Sequence, residues 1–142
     1  MTPDATVRWR RAAPTLLLGV GATCVAAVLA HVDPNAPGNP LPPCPLRALT
    51  GFYCPGCGST RALYGLLHGD VAGALAMNPL LVAVMPVLLL MALRAGDLLP
   101  TWAPCERVLA VARRPRVWLW LLLGYGVLRN LPWMPFAWLA PG

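Results

Sequence analysis

Three cysteines, Cys44, Cys54 and Cys57, fall in the run CPLRALTGFYCPGCGSTR, spaced C-x9-C-x2-C. Thiols so grouped serve as a metal site, a disulfide or a redox pair. As a metal site, the CPGCG turn has the form of a zinc knuckle, with Pro55 and Gly56 allowing a tight turn between two thiolates. Cys44 is then a third ligand. His68 is the best placed in sequence to be a fourth, with His31 and Asp70 as alternatives. One such pair plus a single cysteine is less than the two pairs of a full structural zinc site. As a disulfide, Cys44 joined to Cys54 or Cys57 ties a loop to the start of the next helix and leaves one thiol over. As a redox site, Cys54 and Cys57 form a C-x-x-C just before a predicted helix. The helix dipole, with Arg61 one turn in, favours a thiolate there, and Cys44 serves as the resolving thiol.

Apolar sequence must position these sulfurs. The chain has 142 residues, enough for one domain. Hydrophobic residues make up 58% and charged residues 11%, about half the charge of a soluble domain. Mean hydropathy is +0.62, so a bilayer is the expected solvent. The net charge of +6 rests on arginine, with no lysine present. Arg8, Arg10 and Arg11 form one cluster, and Arg107, Arg113, Arg114 and Arg116 another, each beside an apolar run. That distribution marks membrane topology and argues against nucleic-acid binding.

Three spans are expected, at about 15–32, 80–99 and 117–131. Pro14 suits the first helical turn of the first, and Asp33-Pro34 ends it. At about 1.5 Å per residue this span reaches roughly 27 Å, enough for a hydrocarbon core. Pro86 is expected to kink the second. The third starts after Pro115 and Arg116 and stops at Pro132, with Arg129 near its end snorkelling to the headgroups. Trp118, Trp120, Trp133 and Trp138 fit aromatic belts. The arginine count places the N-terminus and the 94–116 loop in the cytoplasm, and the cysteine segment outside. Arg8 to Arg11 followed by an apolar run also has the form of a signal peptide, but its length favours a retained span.

Residues 33–79 form an outward loop with short helices. Its first part, to Pro43, is rich in proline, asparagine and glycine and reads as an irregular linker. Leu63, Leu66 and Leu67 recur at helical spacing, giving a short interfacial helix over 59–68 that Gly69 breaks. Asp70 is a good N-cap for a helix through Met77, and Asn78-Pro79 bends the chain into the second span. Cys24 reads as a small packing residue and Cys105 as a free thiol. Arg61 reads as a tie to Asp70 or to a lipid phosphate.

The strings TGFYCPGCGSTRA, LLHGD and AMNPL, with Arg129-Asn130-Leu131-Pro132 later, resemble the bacterial membrane proteins of domain of unknown function 2752. The motif positions include Gly58, Thr60, Arg61, Gly69, Asp70, Asn78 and Pro79, and the likeness runs over about 41–135. It implies a small multi-spanning membrane protein and brings no activity with it.

Motifs of other enzyme classes are missing: no HExxH, no Gly-x-Ser-x-Gly, no Walker loop, no close pair of acids. The expectation is an all-α, multi-pass cell-membrane protein in a single membrane domain. It acts as a non-enzymatic accessory or scaffold, its outward cysteine motif held by a disulfide or by zinc. Its partners are the bilayer and a membrane protein or a second copy. The alternative is a membrane thiol–disulfide oxidoreductase using Cys54 and Cys57 with Cys44.

Overall fold

The computed structural model describes residues 3–100 and 102–140, and the side chains of 3–12 and of 137 lie outside that description. The described residues are helical and contain no strand. The order is α1 (Pro3–His31), α2 (Pro45–Thr50), α3 (Ser59–Leu67), α4 (Val71–Met77), α5 (Pro79–Ala95), α6 (Ala103–Ala112) and α7 (Pro115–Leu128), then a 3-10 turn at Phe136–Leu139.

Helix α1 begins well before Thr15, so Pro14 lies inside the helix and not in its first turn. The Arg8, Arg10 and Arg11 side chains fall outside the description. Asp33-Pro34 does end the helix, with Asp33 Oδ1 accepting from the Asn35 amide at 2.8 Å. Cys24 faces outward from α1 instead of packing inward.

The breaks after the linker fall where turn chemistry puts them. Gly58, at φ +80°, is the N-cap of α3, a left-handed conformation that glycine takes without strain. Asp70 caps α4 through the Gly73 amide at 2.8 Å. Gly65 lets α3 and α4 meet closely: a Cβ there would lie 3.0 Å from the Asp70 carbonyl oxygen. Asn78-Pro79 then turns the chain by 111° between α4 and α5.

Two helices lie where the sequence predicts none. The first is α2, inside the cysteine segment. The second is α6, in what reads as a plain loop between Arg94 and Arg116. Its buried Leu109 and Ala112 hold it to α5 and α7, and Arg94 ties it to α5 through Glu106 at 2.8 Å.

Among the described residues, one helix segment, Ala13–His31, is long and apolar enough by itself to cross a membrane. The α4–α5 pair passes the same test only as a bent unit, and α7 is apolar but has 14 residues. Three full spans are therefore more than these lengths support. Arg129 corrects the sequence reading most. It is 1% exposed and turned into the protein, where the expected snorkelling would take it out to headgroups.

Candidate metal centre

Helix α2 and its two ends bring Cys44 back onto the CPGCG turn. Cys44 is the N-cap residue, Pro45 opens the first turn, and Gly51 closes the helix at φ +76° with its amide on the Arg47 carbonyl at 2.9 Å. The chain then doubles back through Phe52 and Tyr53. The Cys44 and Cys54 sulfurs stand 3.4 Å apart, and those of Cys54 and Cys57 3.1 Å apart. All three lie within 4.8 Å of one another. These separations exceed the roughly 2.05 Å of an S–S bond, and the cysteines are free. Three sulfurs about 2.3 Å from a tetrahedral zinc would sit about 3.8 Å apart, so the cluster fits such an ion with small adjustments.

A polar framework from distant helices fixes the turn. Arg129 donates to the Cys54 carbonyl at 2.9 Å and the Pro55 carbonyl at 3.2 Å through one nitrogen, and to the Cys57 carbonyl at 3.1 Å through the other. Its guanidinium also lies 5.0 Å from the Tyr125 ring centre and 5.7 Å from that of Tyr53. Asn78, likewise 1% exposed, donates to the Pro55 carbonyl at 3.1 Å and the Ser59 hydroxyl at 3.1 Å. Its own oxygen accepts from the Leu81 amide, capping α5, and from the Tyr125 hydroxyl at 3.3 Å. Asn130 clamps the Tyr53 backbone, accepting from its amide and donating to its carbonyl, both at 2.8 Å. Gly126 leaves room for Pro55, whose Cγ would be 3.1 Å from a Cβ there.

Such a framework satisfies the carbonyls that a tight, half-buried turn would otherwise leave bare. It also buries a cation without a carboxylate. Among the described residues the ion pairs join Arg94 to Asp97 and Glu106, so none involves Arg129. Its Nε is buried with no hydrogen-bond partner.

The sulfurs differ in their surroundings. The backbone amide of Arg47, then the neighbouring Cys54 and Cys57 thiols, lower Cys44 to about 7. Burial and the adjacent Cys54 push Cys57 up to about 12. Of these two, the thiolate forms first at Cys44, the N-cap residue of α2 at the rim, while Cys57 is sealed by the turn.

His68 lies outside the three-sulfur group: its ring stacks 4.1 Å from Tyr64 and its Nδ1 is 2.9 Å from the Tyr64 carbonyl oxygen. Asp70 is occupied as a cap, and His31 is exposed at the end of α1. Thr60 and Arg61 lie in the first turn of α3, Arg61 with no ion pair among the described residues. Sequence reasoning missed Arg129, Asn130, Tyr53 and Tyr125 as parts of the site and placed Asn78 only at the bend before the second span.

The family described as "Protein of unknown function (DUF2752)" matches residues 44–92, which include all three sulfurs. This segment, about a third of the chain, is similar to that family. It takes in Asn78 and most of α5 but stops short of Arg129 and Asn130, so part of the framework of the turn comes from beyond the matched residues. No curated protein and no solved structure matches the chain.

Proposed function

We propose that this chain is a multi-pass cell-membrane protein whose cysteine turn binds one zinc ion through Cys44, Cys54 and Cys57, and that it works as a non-enzymatic accessory or scaffold. The observation that carries the reading is the cluster itself: three sulfurs within 4.8 Å, on a turn gripped by two buried polar side chains. A turn so constrained is built to hold its ligands in place rather than to rearrange, as exchange chemistry demands.

In this reading α1, α5 and α7 lie in lipid. Helix α7, with 14 residues and about 21 Å long, crosses only where the bilayer thins around it. The sulfur turn faces the non-cytoplasmic side, following the arginine distribution. An apolar groove of about 460 Å³ between α5, α6 and α7, lined by Val84, Val108, Val111, Trp118 and Leu121, suits a membrane-protein partner or a second copy.

The test is the metal content of protein purified in detergent without chelator. About one zinc per chain is expected, falling with Cys44→Ser or Cys57→Ser; less than about half an equivalent sinks the reading.

Thiol–disulfide exchange is the second reading. Its support is that Cys54 lies within 3.4 Å of both other sulfurs, close enough for a disulfide to pass from one pair to the other. Mixed disulfides trapped on a Cys54→Ser or Cys57→Ser variant would favour it over zinc.

A further inference from the structure

We infer that a divalent ion held by Cys44, Cys54 and Cys57 takes its fourth ligand from outside the chain, and that this ligand is a neutral donor. The inference rests on the zinc reading above and deepens it.

Two observations lead there. Among the described residues, no His, Asp, Glu or further Cys offers a ligand atom to complete the group. The carbonyls of Cys54, Pro55 and Cys57, on the same turn, are already engaged by Arg129 and Asn78. Cys44 and Cys54 are half-exposed while Cys57 is buried, so the uncovered side of the cluster is the rim and not the interior. A three-ligand site with one accessible position leaves the fourth place to an exchangeable ligand such as water, whereas structural zinc is closed by four protein ligands.

Charge sets the kind of ligand. Three thiolates on a divalent ion leave one negative charge. Arg129 supplies one buried positive charge just behind the turn, with no carboxylate to neutralise it. A buried guanidinium without a counter-charge is strongly disfavoured, and the loaded cluster provides that counter-charge. The sum is then zero, and it stays zero only if the fourth ligand is uncharged: water, or the imidazole type of nitrogen. A fourth thiolate would leave one net negative charge that Arg129 does not balance.

Cobalt(II) in place of zinc reports this directly, using the full-length protein in detergent. Thiolate-to-cobalt charge-transfer bands with the intensity of three sulfurs are expected. Added imidazole should shift the visible d–d bands in a saturable way, and a small thiol at equal concentration should do so less. Alanine variants of His31 and His68 should keep the starting spectrum. Arg129→Gln should weaken cobalt binding roughly 10- to 100-fold, with Arg129→Lys between it and the parent.

If cobalt binds but the bands ignore imidazole, or if His68→Ala alters them, the site is closed from within and this inference is wrong while the zinc reading stands. A thiol that binds as well as imidazole overturns the charge argument. If no cobalt binds through sulfur, the zinc reading itself is lost and the inference goes with it. The imidazole titration uses the parent protein, so a failure of Arg129→Gln to fold does not remove the test.

Discussion

Arg129 reaches from the end of α7 to the carbonyl of Cys54 at 2.9 Å, a contact between residues 75 positions apart. Through it and its bonds to Pro55 and Cys57, the last long helix decides the shape of a turn in the first half of the chain.

Removing that grip exposes its weight. Arg129→Leu leaves the Cys54 carbonyl without its donor and the Pro55 and Cys57 carbonyls with Asn78 alone, and should destabilise the fold by about 3 kcal/mol or more. Arg129→Lys keeps the charge but not the fork and should cost less. Thermal unfolding in detergent, alongside the rate at which Cys57 reacts with maleimide, checks both.

Asn78→Asp separates two roles of one side chain. The carboxylate can still accept from the Leu81 amide and cap α5, but it can no longer donate to Pro55, Cys57 and Ser59. A loss of about 2–3 kcal/mol is expected, together with faster labelling of Cys57. Helix content by circular dichroism should barely change.

Glycine positions give a steric test. Gly58→Ala puts a side chain at φ +80° and should cost about 1 kcal/mol. Gly126→Val drives a branched side chain against Pro55 and should loosen the sulfur cluster as well. Gly124→Ala, with open space around it, is the control and should be silent in the same melts.

Metal-free protein should respond to pH in two opposite ways. Cys44 is lowered from 9.0 to about 7, so the stability it contributes is present above pH 9 and is lost as pH falls through 7. Cys57 is raised from 9.0 to about 12, so its contribution is present below pH 9 and is lost as pH rises through 12. Denaturant midpoints should therefore climb between pH 7 and 9 and decline beyond 9. Cys44→Ser should flatten the first limb and leave the second.

Topology can be read from the same thiols. In intact cells, after metal stripping and reduction, an impermeant maleimide should reach Cys44 but not Cys105. The reverse pattern would invert the orientation and remove the case for an outward-facing site.

Much of the scaffold was legible because its punctuation is chemical. Asp33-Pro34, Gly69-Asp70 and Asn78-Pro79 stop and restart helices by their own backbone and capping preferences, and the helix ends fall on them. The three sulfurs were legible for the same local reason. Helix α2 was not, because its six residues carry too little periodicity to register. Helix α6 was hidden by arginines that read as loop, although its inner face meets α5 and α7. The framework around the turn was the least visible part. Arg129 and Asn130 act on backbone atoms, and a carbonyl 72 or 75 residues away carries no side-chain signature to match. An arginine near the end of an apolar run invites a headgroup reading on hydropathy alone. One clue was present: with so few acids in the chain, an arginine drawn inward has to seek carbonyl oxygens.

The 111° corner between α4 and α5 has a mechanical corollary. Asn78 closes one helix, opens the next and holds the sulfur turn, so its torsions serve three masters at once. With α5 in lipid, as proposed, a tilt imposed by a thicker or thinner bilayer would pull on that turn, and tension at the sulfurs would be felt as torque on α5. On that reading, lipid thickness and occupancy of the cysteine cluster would be joined through a single amide side chain.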